Sequence, residues 1–395
     1  MTVDAPSPAM ASPATHAHDT ARPARLLHVD HLRNGVILGL ILFHTARLFD
    51  SEAWHIKDAG RFQAAGLLIA AFNVVQMPLL FFLAGMTAFH SLGNRGGGRF
   101  VRERLVRLLL PLIVGMLLVV PPQVYVERLS AGLPGRMSPI DFSGSFAAFY
   151  PSFFSCCYPA ANLSWHHLWF VLYLFVYSLL LLPVFLGLRR RAAAGRVEDL
   201  GRWLAQGPRL LLLALPIVAI GLALRPRFPS THALIDDHAN HAHFMLLMLA
   251  GWLFAASPDL ARAATRLWRP VLAAAVVTIV MLLVLRASGT VLPIEARRVL
   301  RALAEWSAIA GLLGWGAERL NRPIPFLTGF SALSFPFYVF HQTVIVLLGF
   351  WLLGWSDAPL AKFLAIAVLS LGISLALARA AGLIRATRLM FGMRG

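Results

Sequence analysis

Apolar runs long enough to cross a bilayer recur along the whole chain, and that recurrence limits what it can fold into. They lie near Asn34–Phe49, Ala64–His90, Leu108–Val126, His167–Leu188, Leu210–Leu224, Phe244–Ala256, Val271–Leu285, Ala302–Gly316, Ser334–Trp355 and Lys362–Gly382. In hydrocarbon every backbone N–H and C=O must be satisfied within the protein, so runs of this length are read as helices. Prolines inside them (Pro78, Pro111, Pro183, Pro216, Pro336) are tolerated because bundle neighbours satisfy the freed groups. Several runs fall short of about 20 residues, so their ends must extend into polar flanks. The expected fold class is an all-α polytopic integral membrane protein with about ten transmembrane helices.

Composition agrees. Of 395 residues, 58% are hydrophobic and only 13% charged, about half the charge of a soluble domain, which carries roughly 25%. A net charge of +17 would suit nucleic acid if it covered one folded face. Here the arginines sit in short loops between apolar runs, so no nucleic-acid partner is expected. With the N-terminus inside, 23 of the 35 Lys and Arg fall in cytoplasmic segments and 12 outside. This bias puts both N- and C-termini in the cytoplasm, and the lipid bilayer is the first partner it implies.

Residues 1–25, rich in Ala, Pro, Ser and Thr, lack the charged start and apolar core of a signal peptide and are expected as a disordered cytoplasmic tail. Residues 26–385 form the membrane domain, and 386–395 a basic cytoplasmic tail. Cys156 and Cys157 are adjacent, where a bridge is strained, and are expected as free thiols. They lie in the longest outer loop, about 127–165, which has the size of a lid over an outward cavity.

The first apolar run carries the strongest chemical signal. Arg33 and His44 are 11 residues apart, three helical turns, which puts both on one face about 16 Å apart along the axis. Ionisable groups at membrane depth are costly and mark function, although a packed, hydrogen-bonded histidine and an inner-leaflet anchor are the plain alternatives. After the second run, Arg102, Arg104 and Arg107 lead into the third. Arg104 and Arg107, one turn apart, should share a face suited to phosphate, or to anionic lipid headgroups.

Other polar residues at depth are Asn73, Gln76, Gln123, Glu305, His341 and Gln342, with His166, His167 and Trp169 at the outer interface. Arg301 and Glu305, four apart, are spaced to pair with each other. The stretch THALIDDHANHAHF groups His232, His238, His241 and His243 with Asp236 and Asp237 in an outer loop. It lacks thiolates and HExxH spacing, so a solvated interfacial loop is preferred over zinc, and no metal is expected. There is no phosphate-binding P-loop, dinucleotide fingerprint or nucleophile elbow.

Four segments together carry a family likeness. These are the Asp30–Arg33 opening with Arg33-x10-His44, FFLAGM followed by RLVRLLLP, HHLWFVLYLFVYSLLLLP, and SFPFYVFHQTVIV around His341. In this order the chain resembles the membrane-bound acyltransferase 3 family from about residue 26 onward. The EAWHI, HLWF and FPFYVFHQ stretches look most similar to the glucans biosynthesis protein C branch, proposed succinyl transferases for periplasmic glucans. Asn34, where many relatives have Gly, is a mild departure.

The resemblance implies transfer of an acetyl or succinyl group from cytoplasmic acyl-CoA, as co-substrate, to a hydroxyl of an envelope carbohydrate at a bacterial-type inner membrane. It assigns His44 and Arg33 to catalysis, Arg104 and Arg107 to acyl-CoA, and His167, Trp169 and His341 to the acceptor side. The alternative is a polytopic transporter or flippase of a small polar or carbohydrate substrate, though no internal repeat supports one.

Overall fold

A computed structural model of the chain describes residues 26–93, 96–132 and 135–393. The expected tail at 1–25 therefore lies outside the described residues. Those that are described form helices and connecting turns, with one isolated β-bridge, Trp54 to Arg136, and no strand.

The helices run in order α1 (Leu27–Ala46), α2 (Gln63–Gly93) and α3 (Gly97–Leu129), then α4 (His166–Leu180) and α5 (Leu182–Ala193). They continue with α6 (Arg196–Leu204), α7 (Gly207–Ala223), α8 (His238–Ala256), α9 (Pro258–Ala287) and α10 (Ile294–Arg319). Finally come α11 (Pro325–Phe330), α12 (Ser334–Leu352), α13 (Pro359–Ala381) and α14 (Arg385–Met390).

Six of these, α2, α3, α8, α9, α12 and α13, are long and apolar enough to cross a membrane. The α4/α5 pair, bent by 53°, and the α6/α7 pair, bent by 110°, raise the number to eight if each is one span. The remaining two expected runs form α1 and α10, of 20 and 26 residues. At about 1.5 Å per residue both are long enough to span. They fall short on apolarity, since α1 holds three histidines, Asp30 and Arg33, and α10 holds Glu295, Arg297, Arg298, Arg301 and Glu305.

Packing explains how so many apolar helices find one arrangement. In lipid the driving force is close contact between helices, which small residues permit. A Cβ on Gly85 of α2 would stand 1.9 Å from the Met248 carbonyl oxygen, and one on Gly251 of α8 would stand 1.8 Å from that of Phe82. The two glycines are reciprocal, so α2 and α8 cross backbone to backbone. Around them Phe81, Phe82, Phe244, Phe254 and Trp306 form an aromatic core, with Phe81 stacked on Phe244 at 4.5 Å between ring centroids.

A second core joins α1, α3 and α12. It is capped by the loop that follows α1, and buried ion pairs shape this cap. Arg47 and Lys57 both bind Asp50, while Lys362 at the start of α13 reaches Asp58 at 2.5 Å. Trp54 is held from the other side by backbone bonds with Gly135 and Met137, each 3.0 Å. Trp54 and His55 are thereby fixed over the C-terminal end of α1. The basic C-terminal segment is folded onto the bundle, where Phe391 meets Phe340 at 4.7 Å.

Candidate active site

A cavity of about 1530 Å³ opens in the bundle, and His44, His55, His166 and His167 all line it. Its other walls come from α2, α7, α8 and α10 and from the loops after α1 and α7. His44, near the C-terminal end of α1, presents its ring between Trp54, stacked at 5.9 Å, and His341 of α12, at 5.1 Å. His167, at the start of α4, stands 5.3 Å from His341. Three imidazoles from three helices thus meet at one point, those of His167 and His341 buried and that of His44 half-buried.

Their hydrogen bonds fix where protons can sit. A carbonyl only accepts, so His341 Nδ1 carries the hydrogen it donates to the Tyr338 carbonyl at 2.5 Å. In a neutral ring Nε2 then bears the lone pair, and this atom is buried without a partner. His167 is arranged in the opposite sense: Nε2–H donates to the Val339 carbonyl at 2.9 Å, leaving Nδ1 as a buried lone pair. His44 Nδ1 is likewise buried and unpartnered. The Tyr338 hydroxyl donates to the His167 carbonyl and locks the two supporting helices together.

A second network lies beside the first. His55 Nδ1 bonds Glu127 Oε2 at 2.6 Å, deep in the protein. Tyr158 donates to the other carboxylate oxygen at 2.9 Å, and Arg128 lies 3.6 Å from it. Burial, with the Glu127 charge next, pushes the Tyr158 phenol well above its ordinary pKa, so it remains a donor. Gln342 Nε2 donates to His55 Nε2 at 3.2 Å. Both ring nitrogens of His55 are therefore engaged. His166 packs against both His55 and Tyr158 at 4.6 Å.

The sequence profile described as an acyltransferase domain matches residues 26–379, nearly the whole described chain. The chain belongs to the acyltransferase 3 family. No curated protein and no solved structure matches it significantly. Family membership and the apolar helices together make it a multi-pass membrane acyltransferase.

The acyltransferase 3 residues singled out from sequence divide into two groups. His44, His167 and Trp169 line the cavity, Trp169 stacked on His232 at 4.3 Å. His341 stands behind His44 and does not line it. Arg33, Arg104 and Arg107 also lie away from the cavity. Arg33 pairs with Asp30 at 2.8 Å, three α1 turns below His44. Arg104 lies over the Phe100 ring at 4.5 Å, with its Nε buried and unpartnered. Arg107 falls inside a π turn, Leu105–Leu109. That i→i+5 winding departs from the 3.6-residue register on which a shared Arg104/Arg107 face rests.

Other expectations are corrected. Glu305 pairs with His243 of α8 at 2.6 Å, while Arg301 donates to the Asn73 carbonyl at 3.0 Å, so the two do not pair with each other. The histidine-rich stretch is partly helix, because α8 begins at His238. His241 is held by Tyr177 and the Leu234 carbonyl, and Asp237 accepts from Tyr173 and Asn240. Among the described residues no such group is arranged to hold a metal. Cys156 and Cys157 lie side by side in the loop after α3, at the cavity wall.

Sequence reasoning missed the His55–Glu127 pair, whose members are far apart in the chain. The signal available was EAWHI, which contributed to the family likeness without being read as chemistry.

Proposed function

We propose that this acyltransferase moves an acetyl or succinyl group from cytoplasmic acyl-CoA to a hydroxyl of an envelope carbohydrate, at a bacterial-type inner membrane. In this reading α1 and α10 also cross the bilayer, giving ten helices with both termini cytoplasmic, and periplasmic glucans are the nearest acceptor class. The observation that carries it is the cluster of bare ring nitrogens of His44 and His167, which line the cavity, and of His341 behind them.

A ring nitrogen lies roughly 1.1 Å from its centroid, so two imidazoles joined by an N–H···N bond of about 2.9 Å stand roughly 5 Å apart. His44 and His341 stand 5.1 Å apart between centroids, but His44 Nδ1 and His341 Nε2 each lack a hydrogen-bond partner, so the rings are neighbours that are not joined. A turn of either ring would bring His44 Nδ1–H to the His341 lone pair, and Nε2 of His44 would then be the base. It takes the proton of the acceptor hydroxyl as that oxygen attacks the thioester carbonyl. The C–S bond then breaks, and the departing CoA thiolate takes the proton from His44.

The donor's phosphates would meet Arg104 and Arg107, with Arg33, near the end of the bundle where α1 begins. The thioester would extend up α1 toward His44, and acceptor would enter through the cavity, with His167 and Trp169 shaping its seat. Purified protein in nanodiscs, given acetyl-CoA or succinyl-CoA and periplasmic glucan, tests this. CoA release coupled to ester formation supports it. Movement of glycan without CoA release would favour a transporter.

A further inference from the structure

The histidines occupy only part of the cavity. Another part of its wall holds Arg225, just after α7, Arg286 at the end of α9, and Arg297, Arg298 and Arg301 on α10. Among the described residues none of these five guanidinium groups pairs with a carboxylate. The carboxylates that line the cavity are already engaged: Glu52 by Arg47 at 2.8 Å, Asp236 by Thr231 at 2.7 Å, and Glu305 by His243 at 2.6 Å.

The arginines are also held in place. Arg225 donates to the Asn240 side-chain oxygen at 2.6 Å, and Arg301 donates to the Asn73 carbonyl at 3.0 Å. Each leaves further N–H groups unused, since a guanidinium has five. A Cβ on Gly221 would lie 3.9 Å from Arg298, so α7 passes α10 next to that side chain. Burial first, and then repulsion from Arg301, lowers the pKa of Arg225; the Asp237 and Glu305 carboxylates oppose this, and Arg298 adds a smaller repulsion. Asp237 and Glu305 are engaged by Asn240 and His243, so five cations share one wall beside two carboxylates that already have other partners.

The charge distribution of the chain makes this costly. In the orientation set by the loops only 12 of 35 cations lie on the outer side, and five of those 12 are these arginines. Orientation disfavours them there, and the carbohydrate hydroxyl that the chemistry needs does not require them. We infer that the Arg225/Arg298/Arg301 wall, flanked by Arg286 and Arg297, is an oxyanion subsite, and that the substrate seated in the cavity bears a phosphate or carboxylate group. The inference rests on the acyl-transfer reading of the cavity and narrows its substrate to an anionic one. Forked guanidinium groups suit such oxygens because they bind two at once.

The test uses the full-length chain in neutral detergent, with inorganic pyrophosphate and succinate as calorimetric probes. Wild type should bind at least one of them. Arg298→Gln/Arg301→Gln should weaken that binding by roughly tenfold or more, the scale of losing charge-assisted hydrogen bonds. Arg298→Lys/Arg301→Lys, which keeps charge but not the fork, should lose less. Preference for pyrophosphate would point to a phosphate on the acceptor. Preference for succinate would point to a carboxylate, on the acceptor or on a dicarboxylic acyl group; assays with acetyl-CoA and succinyl-CoA separate these two. Failure of wild type to bind either probe, or binding indifferent to both double variants, overturns the inference. His44→Ala should bind the probes as wild type does. Anion binding without acyl-CoA turnover would therefore leave this subsite standing while the acyl-transfer reading fell.

Discussion

His44 of α1 and His341 of α12 meet with ring centroids 5.1 Å apart, and only His44 faces the cavity. His341 has its Nδ1 committed to the Tyr338 carbonyl and its Nε2 bare and buried. A turn of the two rings toward each other would let it hold the tautomer of His44 without touching substrate. His341→Ala should lower kcat by roughly 10- to 150-fold, the scale of a hydrogen bond to a group that becomes charged, with KM for the acceptor little changed. A KM effect of equal size would instead make His341 part of the acceptor seat.

The cap over the site depends on buried ion pairs. Lys362 and Asp58 are nearly inaccessible and 2.5 Å apart. Lys362→Met leaves Asp58 buried without its cation, and removing one partner of such a pair costs about 3–5 kcal/mol. The variant should unfold at lower temperature than wild type in the same detergent, and Asp58→Asn with Lys362→Met should recover part of the loss. An unchanged melting temperature would mean the cap is not held in this way.

Backbone contact between α2 and α8 leaves no room for a methyl group at Gly251. Gly251→Ala forces the helices apart, and overpacking of this kind costs about 1–3 kcal/mol or more. Thermal stability in detergent should fall, while Gly187→Ala, in open space on α5, should leave it within about 0.5 kcal/mol of wild type. Equal behaviour of the two variants would count against this crossing.

His232, outside the spanning segments, stacks on Trp169, and burial holds its pKa below 6.5. Asp237 opposes this shift and Arg225 adds to it. The sign follows from proton binding: below pH 6.5 the unfolded chain takes up a proton that the folded site resists. The contribution of this group to stability is complete above 6.5 and is lost as pH falls toward its folded value. His232→Gln should therefore flatten part of the decline in thermal stability below pH 6.5. A profile parallel to wild type would show that His232 does not contribute.

The helical class and the approximate position of each long helix were legible in the sequence, and His44, singled out there, lies on the cavity wall. Apolar length and an intramembrane histidine are local signals, and local signals survive folding. What could not be read were pairings between distant segments. His55 and Glu127 lie in a loop and at the end of α3, and only the packing of the cap brings them together. Glu305 was spaced for Arg301 but found His243 of α8, a partner 62 positions away that spacing along α10 does not announce. The π turn at Leu105–Leu109 changes the local winding around Arg107, and such a turn has no hydrophobic period to announce it.

The central claim is that His44 performs the proton transfer of an acyl transfer. Acyl-CoA turnover by purified His44→Ala, reconstituted at the same level and melting like wild type, tests it most directly. Loss of a general base should cut kcat by roughly 10²- to 10⁴-fold while acyl-CoA still binds. Turnover at the wild-type rate would contradict the account.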